Sequence, residues 1–234
     1  MSFAIDLDGP RVDPAAGARA QELVILLHGL GADGNDLISL APIFAQILPG
    51  AAFVAPNAPF PCDMAPFGHQ WFSFGDRDPG AILAGVRASA PQVDAFIDAE
   101  LARAGLSDER LALVGFSQGT IMALHVALRR AAPCAGVIGY SGALAGPEVL
   151  AEEIKSRPPV LLVHGDADEI VPFPSMAAAE QALRANGILV HGEARPGLGH
   201  SIDETGLQLG ATMLKQTLYP DAAEPGAQAP EPEA

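Results

Sequence analysis

LALVGFSQGTIMALHVAL, residues 111–128, passes from one kind of secondary structure to another around a single serine. The five residues 111–115 are apolar without a break, the pattern of a strand buried on both faces, and a helical pattern runs on from Gln118 toward Arg130. Between them stands Gly115-Phe116-Ser117-Gln118-Gly119, a G-x-S-x-G pentapeptide. In that strand-to-helix setting it reads as a nucleophile elbow, a sharp turn that strains the serine, with small glycines on either side to avoid a clash. Outside such a setting the same letters would describe no more than a turn with a serine cap.

Working outward, the apolar run recurs at 23–27 (LVILL), 51–55 (AAFVA), 137–141 (VIGYS) and 160–164 (VLLVH), with a weaker, more polar sixth at 188–193. Helices are expected over 35–48, along the face made by Val93, Phe96, Ile97 and Leu101 with Gly105 as C-cap, and over 118–130, 174–186 and 202–218. Alternating strands and helices predict one α/β domain over 1–219, a mostly parallel sheet with helices on both faces. Two segments break the pattern. Prolines and glycines surround Phe60, Phe67, Trp71, Phe72 and Phe74 in 56–79, which reads as a long irregular loop ordered by its aromatic rings. Residues 220–234 hold no large apolar side chain and are expected to be disordered.

Composition bounds the partners. The 234 residues include 13 Lys or Arg against 28 Asp or Glu, a formal net charge of −15, which repels phosphate backbones and anionic headgroups and argues against nucleic acid or a membrane surface. The hydrophobic share, 49%, is enough for a sizeable core. Cys62 and Cys134 have no zinc, redox or disulfide spacing, and none of the six histidines has another four residues away, so no metal site is expected. No cationic stretch leads into an apolar run in 1–13, and no run reaches the roughly 18 residues of a membrane span; the expected location is the cytoplasm.

A serine hydroxyl is a poor nucleophile near neutral pH. It needs an imidazole to take its proton and a carboxylate to orient that imidazole. Asp168, in His164-Gly-Asp-Ala-Asp-Glu-Ile-Val-Pro172, and His200, in Gly197-Leu-Gly-His-Ser-Ile202, supply both, in the order serine, acid, histidine that α/β-hydrolases use. Asp166 is the rival acid, although its place at the strand end suits a turn. His28 and His164, at strand ends before glycine, read as structural, and His125 as a packed, hydrogen-bonded core residue. Charge developing on an attacked carbonyl oxygen calls for two backbone amides, for which Gln118 and Leu30, the latter in His28-Gly-Leu-Gly-Ala-Asp-Gly34, are the candidates. Leu30, Trp71 and Val171, with Leu144 as a further candidate, are expected to wall an acyl pocket.

The blocks HGLGADGND (28–36), APNAP (55–59), WF (71–72), GFSQG (115–119), HGDADEIVP (164–172) and GLGHSI (197–202) together resemble the α/β-hydrolases that include carboxylesterases, lysophospholipases and acyl-protein thioesterases. The resemblance spans about residues 20–218. It implies a single α/β-hydrolase domain without a large cap, a triad of Ser117, Asp168 and His200, an oxyanion hole from the amides of Leu30 and Gln118, and ester hydrolysis without a cofactor. One departure stands out: after the aromatic pair, where the family usually has an acidic residue, this chain has Ser73. The expected activity is a serine carboxylesterase acting on small-molecule esters of short to medium acyl chains. Thioesters of acylated proteins or lysophospholipids are the alternative substrates, and a non-catalytic binding module is the alternative of another class. The aromatics of 56–79 offer a surface for a second copy, and so a homodimer.

Overall fold

In the computed structural model, residues 7–14 and 17–219 are described; the segment 220–234, expected to be disordered, lies outside them. Five parallel strands follow the sequence closely: β2 (Glu22–Leu27), β3 (Ala51–Val54), β6 (Leu111–Phe116), β7 (Gly136–Tyr140) and β8 (Val160–Gly165). The weaker sixth run forms β9 (Val190–Arg195), which pairs parallel with β8. A two-residue strand, β1 (Arg11–Val12), closes the other edge antiparallel to β3, giving the order β1-β3-β2-β6-β7-β8-β9. Two residues are too short to show a sequence period, so β1 was not foreseen.

Both faces of the sheet are covered, which explains the unbroken apolar runs. Leu23, Ile25 and Leu27 of β2 pack on one side with Val86, Val93 and Ile97 of α3 (Pro79–Ala104) and Met122 of α4 (Gln118–Ala127). Val24 and Leu26 pack on the other with Leu37, Phe44 and Leu214, from α1 (Gly34–Ile38), α2 (Ala41–Ala45) and α7 (Glu204–Leu218). The remaining helices are α5 (Leu150–Glu153) and α6 (Pro174–Ala185).

Proline accounts for two differences from the sequence reading. The single helix expected over 35–48 is divided into α1 and α2 because Pro42 has no N–H for the carbonyl of Ile38 and its ring crowds that group. The helix read from Val93 onward starts instead at Pro79, capped by Asp78, and continues through Pro91 to the left-handed Gly105 at φ 69°. An interior proline reads as a stop, and only packing against α4 and β2 carries the helix past it. Within the loop 56–79, β4 (Phe60–Pro61) and β5 (His69–Gln70) form a small antiparallel hairpin.

The chain order of the sheet sets the place of the site. From β2 the chain moves to β3 on one side, then crosses to β6 on the other. The direction of winding reverses between β2 and β6, and in such sheets ligands bind at the carboxyl ends of the strands at this point, beside the loops that follow them.

Candidate active site

Ser117 lies at that switch point, at the tip of β6. Its backbone, at φ 54° and ψ −115°, lies in a region that costs a non-glycine residue of order 1–3 kcal/mol. The turn is held by hydrogen bonds from Ser117 N–H to Tyr140 O (2.9 Å) and from Thr120 N–H to Ser117 O (3.0 Å). Both glycines of the pentapeptide are dictated by close approach. A Cβ on Gly119 would sit 1.8 Å from the carbonyl oxygen of Leu27, and one on Gly115 would sit 2.5 Å from the Gly119 carbonyl. The serine side chain caps nothing, so its hydroxyl is not consumed by the helix it precedes.

The loop after β2 lies against this turn. A Cβ on Gly29 would come within 3.4 Å of Ser117 Cβ. Among the described residues, neither the Leu30 amide nor the Gln118 amide has a hydrogen-bond acceptor, whereas Gly31 and Ala32 donate to His69 O and Gly29 O. His28 braces the loop from behind: its Nε2 accepts from Ala58 N–H at 2.9 Å, so Nδ1 holds the proton and donates to Gly29 O at 2.7 Å. Burial pushes the His28 pKa down and keeps the ring neutral.

On the far side of the elbow, Asp168 and His200 meet, with His200 Nδ1 2.8 Å from Asp168 Oδ2. The Asp168 side chain is fully buried, and its Oδ1 accepts from the amides of Ile170 and Val171, both at 2.9 Å. Burial pushes its pKa up, but the hydrogen bonds from His200, Val171 and Ile170 outweigh that and hold the carboxyl below the usual carboxylate range. The His200 ring packs on Phe116, the residue before the serine, with centroids 4.8 Å apart. Among the described residues no hydrogen bond joins Ser117 Oγ to His200; that contact is often long until substrate binds. Asp166 goes elsewhere, accepting from Gly197 N–H at 2.7 Å and so tethering the loop that carries His200.

The remaining expectations divide. Leu30, Leu144 and Val171 are partly exposed around the carboxyl ends of the strands. Trp71 has no exposure; its indole donates to His28 O at 2.8 Å and lies 5.4 Å from the His28 ring, so a wall open to substrate is not what it provides in this conformation. His125 is packed as expected, but its Nδ1 has no partner among the described residues, which departs from the hydrogen-bonded core residue read in the sequence; burial lowers its pKa to about 4.

The sequence reading missed the Gln118 side chain. Its Oε1 accepts from Trp71 N–H (2.8 Å) and its Nε2 donates to Phe72 O (2.7 Å), lashing the aromatic loop to the elbow. The missing acid after that aromatic pair is answered from the hairpin: Ser73 Oγ donates to Asp63 at 2.5 Å.

A strained serine at the switch point of such a sheet, flanked by loops that bring in unpaired amides and a buried carboxylate–imidazole pair, defines an α/β-hydrolase fold. A family model described as Phospholipase/Carboxylesterase matches residues 10–218, and the chain belongs to that family. Among its relatives, Esterase YpfH of Escherichia coli (strain K12) is 29% identical over 199 residues, covering 85% of this chain and 84% of its own. Acyl-protein thioesterase 1 of Gibberella zeae is 29% identical over 228 residues, covering 90% and 96%. The crystal structure of esterase PE8 superposes with a TM-score of 0.87 at 41% identity, covering 92% of this chain and all of that one. The chain is accordingly a carboxylic ester hydrolase. Among the described residues, no helix is long and apolar enough to cross a membrane.

Proposed function

We propose that this carboxylic ester hydrolase works through an acyl-enzyme on Ser117, with His200 as general base and acid, Asp168 as its orienting carboxylate, and the amides of Leu30 and Gln118 as the oxyanion hole. The observation that carries the reading is the uncapped, strained Ser117, next to a Phe116 ring on which the His200–Asp168 pair packs. A carboxylate only accepts, so Nδ1 of His200 holds a proton, and in the neutral ring that leaves the lone pair on Nε2. Nε2 takes the serine proton as Oγ attacks the ester carbonyl, and the two free amides receive the charge that moves onto oxygen, each worth about 10²–10³ in kcat. The imidazolium then returns its proton to the departing alcohol, and water repeats the sequence on the acyl-enzyme.

Replacing Ser117 by Ala is expected to cut kcat by at least about 10⁴-fold while leaving circular dichroism and the unfolding midpoint unchanged. Near-full activity would overturn the acyl-enzyme reading. Labelling by a fluorophosphonate probe, abolished by Ser117→Ala or prior denaturation, separates the enzyme from a non-catalytic module of the same fold.

The substrate reading is a small-molecule ester with a short to medium acyl chain, for which Leu30 and Val171 supply apolar contact and Trp71 supports the loop beneath them. Each methylene a pocket accepts contributes about 0.8 kcal/mol, close to fourfold in kcat/KM, so a p-nitrophenyl ester series should rise and then level off by the medium chains. A rise continuing to palmitoyl would refute it. The thioesterase among the relatives keeps a second reading open, and matched oxygen ester, thioester and lysophospholipid rates decide between them. The two free thiols suit the cytoplasm, and Phe60, Met64 and Phe67, exposed on and beside the β4–β5 hairpin, are the surface a homodimer would use. Sedimentation of the protein tests that association.

A further inference from the structure

We propose that His164 is a positioning residue: it orients the Asp168 carboxylate and, through it, the His200 imidazole. The inference rests on the acyl-enzyme reading above and adds a member to its machinery that the sequence presented as an ordinary strand-end histidine. His164 lies near the end of β8, its side chain 1% exposed. Its Nε2 is 2.9 Å from the carbonyl oxygen of Val171 and 3.3 Å from Asp168 Oδ2.

The protonation of that nitrogen follows from its partners. A carbonyl oxygen can only accept, so Nε2 carries a proton whatever the charge of the ring, and it presents that protonated edge, not a lone pair, to Asp168 Oδ2 at 3.3 Å. The N–H donates to Val171 O, and Phe173, edge-on at 6.0 Å between centroids, flanks the imidazole. The carboxylate accepts three hydrogen bonds, from Ile170 N–H and Val171 N–H on Oδ1 and from His200 Nδ1 on Oδ2, and the protonated edge of His164 lies 3.3 Å from Oδ2.

The physical consequence is rotational. The terminal torsion of an aspartate is broad, and two amides on one oxygen leave the other free to swing about that anchor. His164 supplies a restraint from a strand that is itself in register with β9 over six residue pairs: its N–H pins the Val171 carbonyl, and so the loop that delivers the two amides to Oδ1, and its protonated edge attracts Oδ2 at 3.3 Å. Displacements of about 1 Å in catalytic geometry can cost about 100-fold in rate, and the removal of a group that orients a ligand from behind typically costs 10–100-fold.

Three measurements test the role. Nitrogen-15 spectra of the imidazoles in the wild-type enzyme should show His164 as the Nε2–H tautomer or as the fully protonated ring; a neutral Nδ1–H tautomer overturns the proposal without any variant. His164→Leu removes the donor and is expected to lower kcat on an activated ester about 10- to 100-fold with KM within twofold. His164→Gln, which keeps an N–H at the end of a side chain of similar reach, should recover to within about threefold of wild type. A purely structural histidine would instead shift the unfolding midpoint of both variants and leave kcat of the folded protein intact. Equal kcat losses in the two variants, or none in His164→Leu, overturn the role. If His164→Leu does not fold, a tenfold loss in folded His164→Gln overturns it equally. Ser117→Ala is run beside them: activity persisting there defeats the acyl-enzyme reading, whereas an inactive Ser117→Ala beside an unimpaired His164→Leu defeats the His164 role alone.

Discussion

The two ends of the central sheet treat polar groups in opposite ways. At the carboxyl ends of the strands, Ser117 is strained and its hydroxyl uncapped, and the amides of Leu30 and Gln118 go without acceptors among the described residues. At the amino ends and along α3, charges are drawn into clusters. Arg130, its side chain 7% exposed, binds Asp94, Asp98 and Asp108 at 2.5–2.7 Å. Glu100 joins Arg11 to Arg103, and Glu22, buried at the start of β2, accepts from the Tyr219 hydroxyl at 2.8 Å. Unpaired donors and strain lower stability, and in the proposed mechanism a substrate completes them. Paired charges tie Arg11, Tyr219 and the long helix to the sheet. Conformational strain confined to one end and its compensation at the other is the arrangement that a rigid reactive site requires.

The largest departure should come from Ser117→Gly. Glycine accepts a positive φ without penalty, so this variant should lose at least about 10⁴-fold in kcat and yet unfold about 1 kcal/mol later than wild type, a gain in midpoint of a few degrees by calorimetry. A lower midpoint would show that the turn is not under strain. Next in size is Arg130→Ala, which leaves three carboxylates facing one another around an empty site. Its partners are partly exposed, so the expected loss is about 2 kcal/mol in denaturant unfolding, with kcat/KM unchanged. A fall in kcat/KM of the folded variant would break the division between the two ends.

The smallest effect is that of Tyr219→Phe, which removes the donor to Glu22 and should cost about 1 kcal/mol near neutral pH. It also has a pH signature. Burial, followed by the hydrogen bond to Glu22, raises the Tyr219 pKa to about 12. A folded pKa above the unfolded one, about 10, means that the contribution is fully present below pH 10 and disappears as pH climbs toward 12. Wild type and Tyr219→Phe should therefore converge in midpoint over that interval. Parallel curves would show that the tyrosine is not coupled to folding. At acid pH the sign reverses for Asp168, whose lowered pKa makes its contribution present above about pH 4 and lost as pH falls further.

Most of the architecture was legible because it is written in local period. Unbroken apolar runs mark strands covered on both faces, and β2, β6, β7 and β8 fell within one residue of their expected limits at each end. What escaped were features whose signal is shorter than a period or contradicted by one residue: the two-residue β1, the break imposed by Pro42, and the helix that runs on through Pro91. The site was legible to the extent that its residues sit in distinctive local frames, the glycines around Ser117 and the glycine-rich approach to His200. Gln118 was read for its backbone amide alone, because its two side-chain bonds reach residues 46 and 47 positions away.

Sequence alone determined that this chain alternates buried strands with helices and that one serine stands where a strand turns into a helix, since neighbouring residues suffice to specify both. Only the tertiary structure decided that Asp168 and not Asp166 meets His200, that Trp71 lies inside, and that His164 faces the same carboxylate. Those outcomes depend on how loops after separate strands lie beside one another. Hydrogen bonds between groups tens of residues apart are set by the path of the backbone through space, which no local pattern encodes.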